Sequence, residues 1–289
     1  VAPLIAAAFG DMKAQAPARP EPELGRVEMP AEVRALVHRD PELPRISIGI
    51  QTVAPYAFEP DTAATRLKYL PRQLAATMFN RRLEELAKKE GAPFTSASVH
   101  TSEMLDFLTN SSIDIATTKP EQWRAALAVA EQELRRALTH GFQPAELREA
   151  TANMANALED AVKQAPTRRS SGLAAGLLAT IHGHNVFSHP VAIRDLYQPA
   201  LARVTVDDCL AALREDWKAA GRLIFVSGNL PAELDEAAVT AAYTESTAMA
   251  VATPARIDDA LGWIRDGLVT DTKTTLGLLW WAQFGRRRA

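Results

Sequence analysis

The 289 residues are 47% hydrophobic and 23% charged, enough apolar content for one large domain or for one domain with extensions. A net charge of -3 and a pI near 6.1 give no electrostatic reason to expect nucleic acid. A single cysteine, Cys209, excludes an internal disulfide framework and any multi-thiolate metal site, and the longest apolar stretch, Leu173 to Ile181, is far too short to cross a bilayer.

In chain order, Val1-Ala2-Pro3-Leu4-Ile5 lacks a basic n-region and an initiator Met, so it reads as an internal cut through a longer polypeptide. The apolar segment Val1 to Gly10 predicts a short helix or strand end that stops at Gly10. Residues 15–30, with Pro17, Pro20, Pro22 and Pro30 among charges, read as a linker. Val33 to His38 fits a strand, and Arg45 to Gln51 alternates in the manner of a half-buried strand. From Asp61 to Glu90, the spacing of Leu67, Leu70, Leu74, Met78, Leu83 and Leu86 predicts a long helix. Pro71 either kinks that helix or opens a new first turn, and Gly91 is its expected C-terminal cap. Phe94 to His100 and Met104 to Thr117 then alternate as two antiparallel strands joined near Thr101-Ser102-Glu103.

Thr118-Lys119-Pro120-Glu121 has the form of a capping box. The helix it opens runs to His140, stops at Gly141, and turns Trp123, Leu127, Ala130, Leu134 and Leu138 inward. A second helix runs from Pro144 to about Gln164 with Leu147, Met154, Leu158 and Val162 inward, and Pro166 closes it. After the polar break Arg168 to Ser171, a small-residue helix spans Gly172 to His182. Thr205, with Asp207 and Asp208 after it, caps a helix carrying Leu210, Leu213 and Trp217; Cys209 sits in it as a buried, inert thiol. Arg222 to Ser227 is a continuous apolar strand ended by Gly228-Asn229. The order predicts an α+β fold, a mainly antiparallel sheet with helices packed on one face. Residues 244–289, with Trp263, Trp280, Trp281 and Phe284 lacking good periodicity, read as a connector or tail whose aromatics dock on a neighbour. The triplet Arg286-Arg287-Arg288 reads as a solvated end. No tandem repeat is evident.

Chemistry-bearing patterns are sparse. His182, His184 and His189 form His-x-His-x4-His, with no carboxylate nearby until Asp195. On a strand the first two would share a face and suit a metal; at a helix end they would not, and the favoured reading is cap and loop histidines beside Pro190. His38, His100 and His140 are isolated, the last suited to a helix C-terminus. Glu84 with Lys88 and Glu85 with Lys89 are spaced as surface ion pairs. Ser170, Ser171 and Ser188 lack a nucleophile-elbow setting, and no phosphate-binding glycine loop occurs.

Several segments in order resemble the insulinase and pitrilysin family of zinc peptidases, which includes the mitochondrial processing peptidases. They are Ala8-Phe9-Gly10 with the proline-rich linker, Asn80-Arg81-Arg82-Leu83, Gly91-Ala92-Pro93-Phe94, the Gly141 to Leu147 junction, and Val204 to Asp208. The resemblance covers roughly residues 1–229. It implies residues 1–14 as the end of a preceding domain, 15–30 as the linker, and 31–243 as a processing-peptidase-like α+β domain. Neither His-x-x-Glu-His nor His-Glu-x-x-His occurs in the chain. The family also supplies an Arg and a Tyr that steady the substrate and the tetrahedral intermediate; aligned on Gly91, those positions are Ala87 and Phe94 here. The resemblance therefore implies a non-catalytic domain with no catalytic or metal residues of its own. Zinc would belong to a catalytic domain of the parent enzyme, and this domain would help enclose unfolded peptide. A structural scaffold derived from the family is the alternative. The implied partners are the catalytic domain or other half of the protease and unfolded peptide, without nucleic acid or membrane, with self-association left open. The family also favours the periplasm, and its members bind extended peptides at a sheet edge.

Overall fold

The computed structural model describes residues 31–104 and 107–253, and of the first thirty residues 2–13, 15–17, 20, 23, 25 and 27. Trp263, Trp280, Trp281, Phe284 and the terminal arginines lie outside the described residues.

Helix α1 (Ala2–Phe9) is apolar throughout and buries none of its side chains. Strands β1 (Val33–Arg39) and β2 (Ile46–Pro55) follow. The long helix expected from Asp61 is two: α2 (Ala63–Lys68) and α3 (Leu70–Ala87), divided at Tyr69. Proline lacks an N–H and tolerates only a first turn, so Pro71 opens α3 rather than kinking a continuous helix. Gly91 does not cap α3, which ends at Ala87. It turns the chain at φ +77°, a backbone region that glycine enters without strain, and so aims residues 92–95 at β3 (Ser96–Met104).

Strand β4 (Leu108–Thr117) pairs antiparallel with β3. Met104 is opposite Leu108, so the connection falls at residues 105–107 rather than at Thr101 to Glu103, which are within the strand. The expected capping box at Thr118 is also replaced. The Thr117 hydroxyl accepts the Lys119 N–H at 3.3 Å, Pro120–Gln122 forms a 3-10 turn, and α4 (Trp123–His140) starts after it. Gly141, at φ +67°, ends α4, and α5 (Pro144–Gln164) has the expected bounds. Helices α6 (Ser170–His182), α7 (Pro190–Leu201) and α8 (Val206–Asp216) precede β5 (Arg222–Gly228) and α9 (Glu236–Thr247). At α8 the Thr205 hydroxyl accepts the Asp208 N–H while the Asp208 carboxylate accepts the Thr205 N–H, a reciprocal cap.

The five strands described form one sheet in the order β1-β5-β2-β4-β3. Only β1 and β5 run parallel; the other pairings are antiparallel. Alternation sorts the side chains onto two faces. Ile46, Ile48 and Ile50 of β2, Ile113 and Ile115 of β4, and Ile224 and Val226 of β5 enter the core with Phe79 and Leu83 of α3 and Leu127 of α4. Each such side chain contributes about 1.5–3 kcal/mol through removal from water. The opposite face carries Ser47, Gln51, Ser98, His100, Ser112 and Asp114. Gly49 is also on this face, where a Cβ would lie 2.9 Å from the Asp114 carboxylate. The expected fold class therefore holds.

The chain remains ordered past the expected boundary at residue 243. Helix α9 runs through it, packed on α4 and β1, and the segment beyond returns along α4: Arg136 donates to the Ala252 carbonyl at 3.0 Å and His140 to the Val251 carbonyl at 3.2 Å. Cys209 is fully buried, and that burial pushes its thiol pKa up to about 12.

Candidate functional site at the helix–turn–strand corner

Three consecutive residues of α3 set the corner between α3, α5 and β3. A helix advances about 100° per residue, so Asn80, Arg81 and Arg82 face three ways. Asn80 reaches β3, where its carboxamide meets the main chain of Val99. Arg81 points outward, 3.3 Å from Glu85, 3.4 Å from Glu149 and 3.8 Å from Glu84. The acids of the expected i,i+4 pairs are thus engaged by Arg81. Arg82 turns inward: Nε and Nη2 contact the two Glu146 oxygens at 2.5 and 2.7 Å, and Nη2 also donates to the Gly141 carbonyl at 2.8 Å. Glu146 in turn accepts the Gln143 N–H at 2.6 Å, so a charge-assisted fork ties α3 to the first turn of α5. Between these helices lies an open groove of about 520 Å³, lined by Thr77, Arg81, Glu84, Glu149 and Asn153 among others.

The positions aligned with the family's Arg and Tyr belong to this corner but do not face the groove. Phe94 is 3% exposed and belongs to the core, and Ala87, the last residue of α3, packs against the same cluster. A phenyl and a methyl have no hydrogen to donate to an oxyanion.

The three clustered histidines have separate places. His182 ends α6; His184, at φ 52°, sets its ring edge-on to Phe58; and His189 caps α7, its Nδ1 accepting the Val191 N–H at 3.2 Å. Among the described residues, no group of three His, Cys, Asp or Glu is arranged to hold a metal ion.

One constellation was not visible in the sequence. On the open sheet face, His100 and Ser112 are cross-strand neighbours, with the Ser112 Oγ 3.2 Å from the imidazole and 2.6 Å from Asp114 Oδ2. An activated serine gives its proton to the imidazole, which in turn donates to the carboxylate. Here the hydroxyl donates to the carboxylate directly, so the serine is not primed as a nucleophile. Only strand register brings these residues together, and His100 appears isolated without it.

The loop from α6 to α7 is fixed to α2. Arg66 contacts Asp61 through two hydrogen bonds of 2.5 Å, and donates to the Val186 carbonyl at 2.8 Å and the Ser188 Oγ at 3.2 Å. Asp61 also accepts the Val186 N–H at 2.8 Å. The hydrogen bonds from Arg66 hold the Asp61 carboxyl below its ordinary pKa. Helix α6, positioned this way, exposes Leu178 (59%) and Ile181 (62%).

No family model matches the chain, and no curated protein matches it. Solved structures do. The first half of the periplasmic protease PqqL from Escherichia coli superposes with a TM-score of 0.73 at 17% identity, over 88% of this chain and 54% of that one. The fold is that of an insulinase-type peptidase domain. The complete PqqL matches with a TM-score of 0.72 at 18% identity, over 88% of this chain and 28% of the protease. An insulinase family protease from Yersinia pestis gives 0.66 at 17% identity, over 86% of this chain and 53% of that one. The ferredoxin protease FusC, in complex with Arabidopsis ferredoxin, gives 0.61 at 14% identity, over 83% of this chain and 27% of that one. The chain thus spans about half the length of the PqqL half and about a quarter of the whole protease. Among the described residues, no helix is long and apolar enough to cross a membrane.

Proposed function

We propose that this chain is a non-catalytic domain of an insulinase-type zinc metallopeptidase. It would stand beside a catalytic domain or opposite half, hold no zinc itself, and help enclose unfolded peptide in the periplasm. The observation that carries this reading is the fold match over 88% of the chain to half of a periplasmic protease. The burial of Phe94 and the methyl of Ala87 support a passive role in the chemistry, because neither can stabilise charge developing on a substrate. The FusC complex with a protein supports a polypeptide as the enclosed partner. The test is to incubate the purified chain with zinc and a fluorescently labelled unfolded polypeptide, following both anisotropy and cleavage. Binding without cleavage is expected. Turnover that a chelator abolishes would overturn the reading.

A scaffold without a peptidase role is the second reading. It is favoured by side chains that occupy main-chain groups on both sheet edges, at Val37 and at Val99, where a peptide would otherwise add as a strand. In the same assay, a scaffold would leave the anisotropy of the unfolded polypeptide unchanged.

A further inference from the structure

A sheet edge presents unpaired N–H and C=O groups that can template pairing with another chain. Natural edges are commonly blunted by lysine, proline or a bulge. Strand β3, Ser96-Ala97-Ser98-Val99-His100-Thr101-Ser102-Glu103-Met104, has no lysine, arginine or proline, and its one acid lies next to its end. Its side chains alone would leave it receptive.

The edge is met instead from α3. Asn80 Oδ1 accepts the Val99 N–H at 2.7 Å, and Asn80 Nδ2 donates to the Val99 carbonyl at 3.0 Å. A carboxamide carries an acceptor and a donor side by side, as a peptide group does. Two bonds to a single residue are also what a facing antiparallel residue exchanges. The helix holds the amide firmly in place, because the neighbouring Met78, Phe79 and Leu83 are all buried in the core. The other edge is treated differently. Helix α9 packs against β1 as α3 does against β3, but the Glu236 carboxylate, which accepts the Val37 N–H at 3.2 Å, has no hydrogen to offer a carbonyl.

We infer that Asn80 stands in for a missing strand, and that the partner it excludes is β3 of a second copy of this chain. Alternation along the strand puts Ala97 and Thr101 on the same outward edge as Val99. A two-fold axis beside Val99 sets that residue opposite its own copy. The two would then exchange the N–H and C=O bonds that Asn80 now makes. Ala97 faces the copy's Thr101, and both side chains are short enough for close pairing. Such a contact is self-complementary, as a two-fold interface must be.

The test compares wild type, Asn80→Ala, and Asn80→Ala combined with Ala97→Pro, which removes an outward N–H and is tolerated at an edge. Hydrogen exchange at the Val99 amide reports whether the edge has opened. Light scattering across a concentration series reports mass. In Asn80→Ala, Val99 exchanges about tenfold faster when dilute, on the order of one hydrogen bond's net contribution. Its mass rises with concentration toward twice that of wild type, and adding Ala97→Pro restores the wild-type mass. Unchanged exchange at Val99, an opened edge with wild-type mass throughout, or a mass increase that survives Ala97→Pro would each overturn the inference. Asn80→Ser, too short to make both bonds, replaces Asn80→Ala should circular dichroism show that the alanine variant is unfolded.

Discussion

Phe79, Leu83, Leu127 and Ala137, on α3 and α4 against the sheet, are fully buried, whereas α6 buries none of its thirteen residues. Helix α5, longer than either inner helix, buries only Ala150. The inner layer is held by apolar contact with β-branched side chains of the sheet. The outer layer rests Leu147, Met154 and Leu158 of α5 on that core and adds charged forks, Arg82 with Glu146 at the start of α5 and Arg66 with Asp61 at the loop after α6. Charged forks therefore carry a larger share of the contacts in the outer layer than in the inner one. Changes in one layer should be felt as stability, and changes in the other as position.

Phe79→Ala tests the inner layer most severely. Removing a fully buried phenyl should lower unfolding free energy by about 3–5 kcal/mol, read from urea denaturation. Arg66→Ala tests the outer forks. It strips four contacts from a mostly buried carboxylate, a carbonyl and a hydroxyl, and should lower stability by about 1.5–3 kcal/mol. Faster exchange at the Val186 amide should accompany it, whereas amides of β2 should exchange faster only as far as global stability falls. A loss spread evenly over both layers would dissolve the distinction.

Acid sharpens the comparison through two aspartates that titrate in opposite directions. In the outer fork the Asp61 pKa is lowered by Arg66. Its stabilisation is therefore complete above the unfolded carboxylate pKa and is lost as pH falls through the lower folded value. The gap between wild type and Asp61→Asn should close over that acidic range. Asp216, in contact with Arg72 at 2.6 Å and Thr101 at 3.2 Å, has a pKa raised by burial despite those partners. Its native state binds the proton more tightly than the unfolded chain, so its contribution falls as pH rises through the raised value. Asp216→Asn should remove that decline. The smallest effect is expected from Leu178→Ala on α6, within about 0.5 kcal/mol of wild type by the same denaturation.

The regular patterns were legible where a single periodicity dominated. Alternation found β2 and β4, and α5 starts and ends where Pro144 and Pro166 suggested. Helix α7 was hidden by Pro199 inside it, although Pro190 at its start was a usable signal. Helix α9 was hidden by small residues with little amphipathic contrast, although Asp235 is an ordinary cap whose carboxylate accepts the Ala238 N–H at 2.8 Å. Thr118 promised a cap that Thr117 and a 3-10 turn displaced, because local sequence cannot rank two adjacent hydroxyls. Site geometry was the least legible. Asn80 and Val99 are separated by a helix end and a turn, and Ser112 meets His100 only through strand register. The chemical poverty of Ala87 and Phe94 could be read from the residues alone. That they pack into the core could not.

Cys209 lies against the inner layer, wholly covered, and its thiolate is disfavoured at neutral pH. An alkylating reagent can therefore modify it only when the molecule opens, so the native chain carries a built-in timer. The rate of labelling at a single sulfur measures how often the core is breached, and it does so without an added chromophore or an engineered handle.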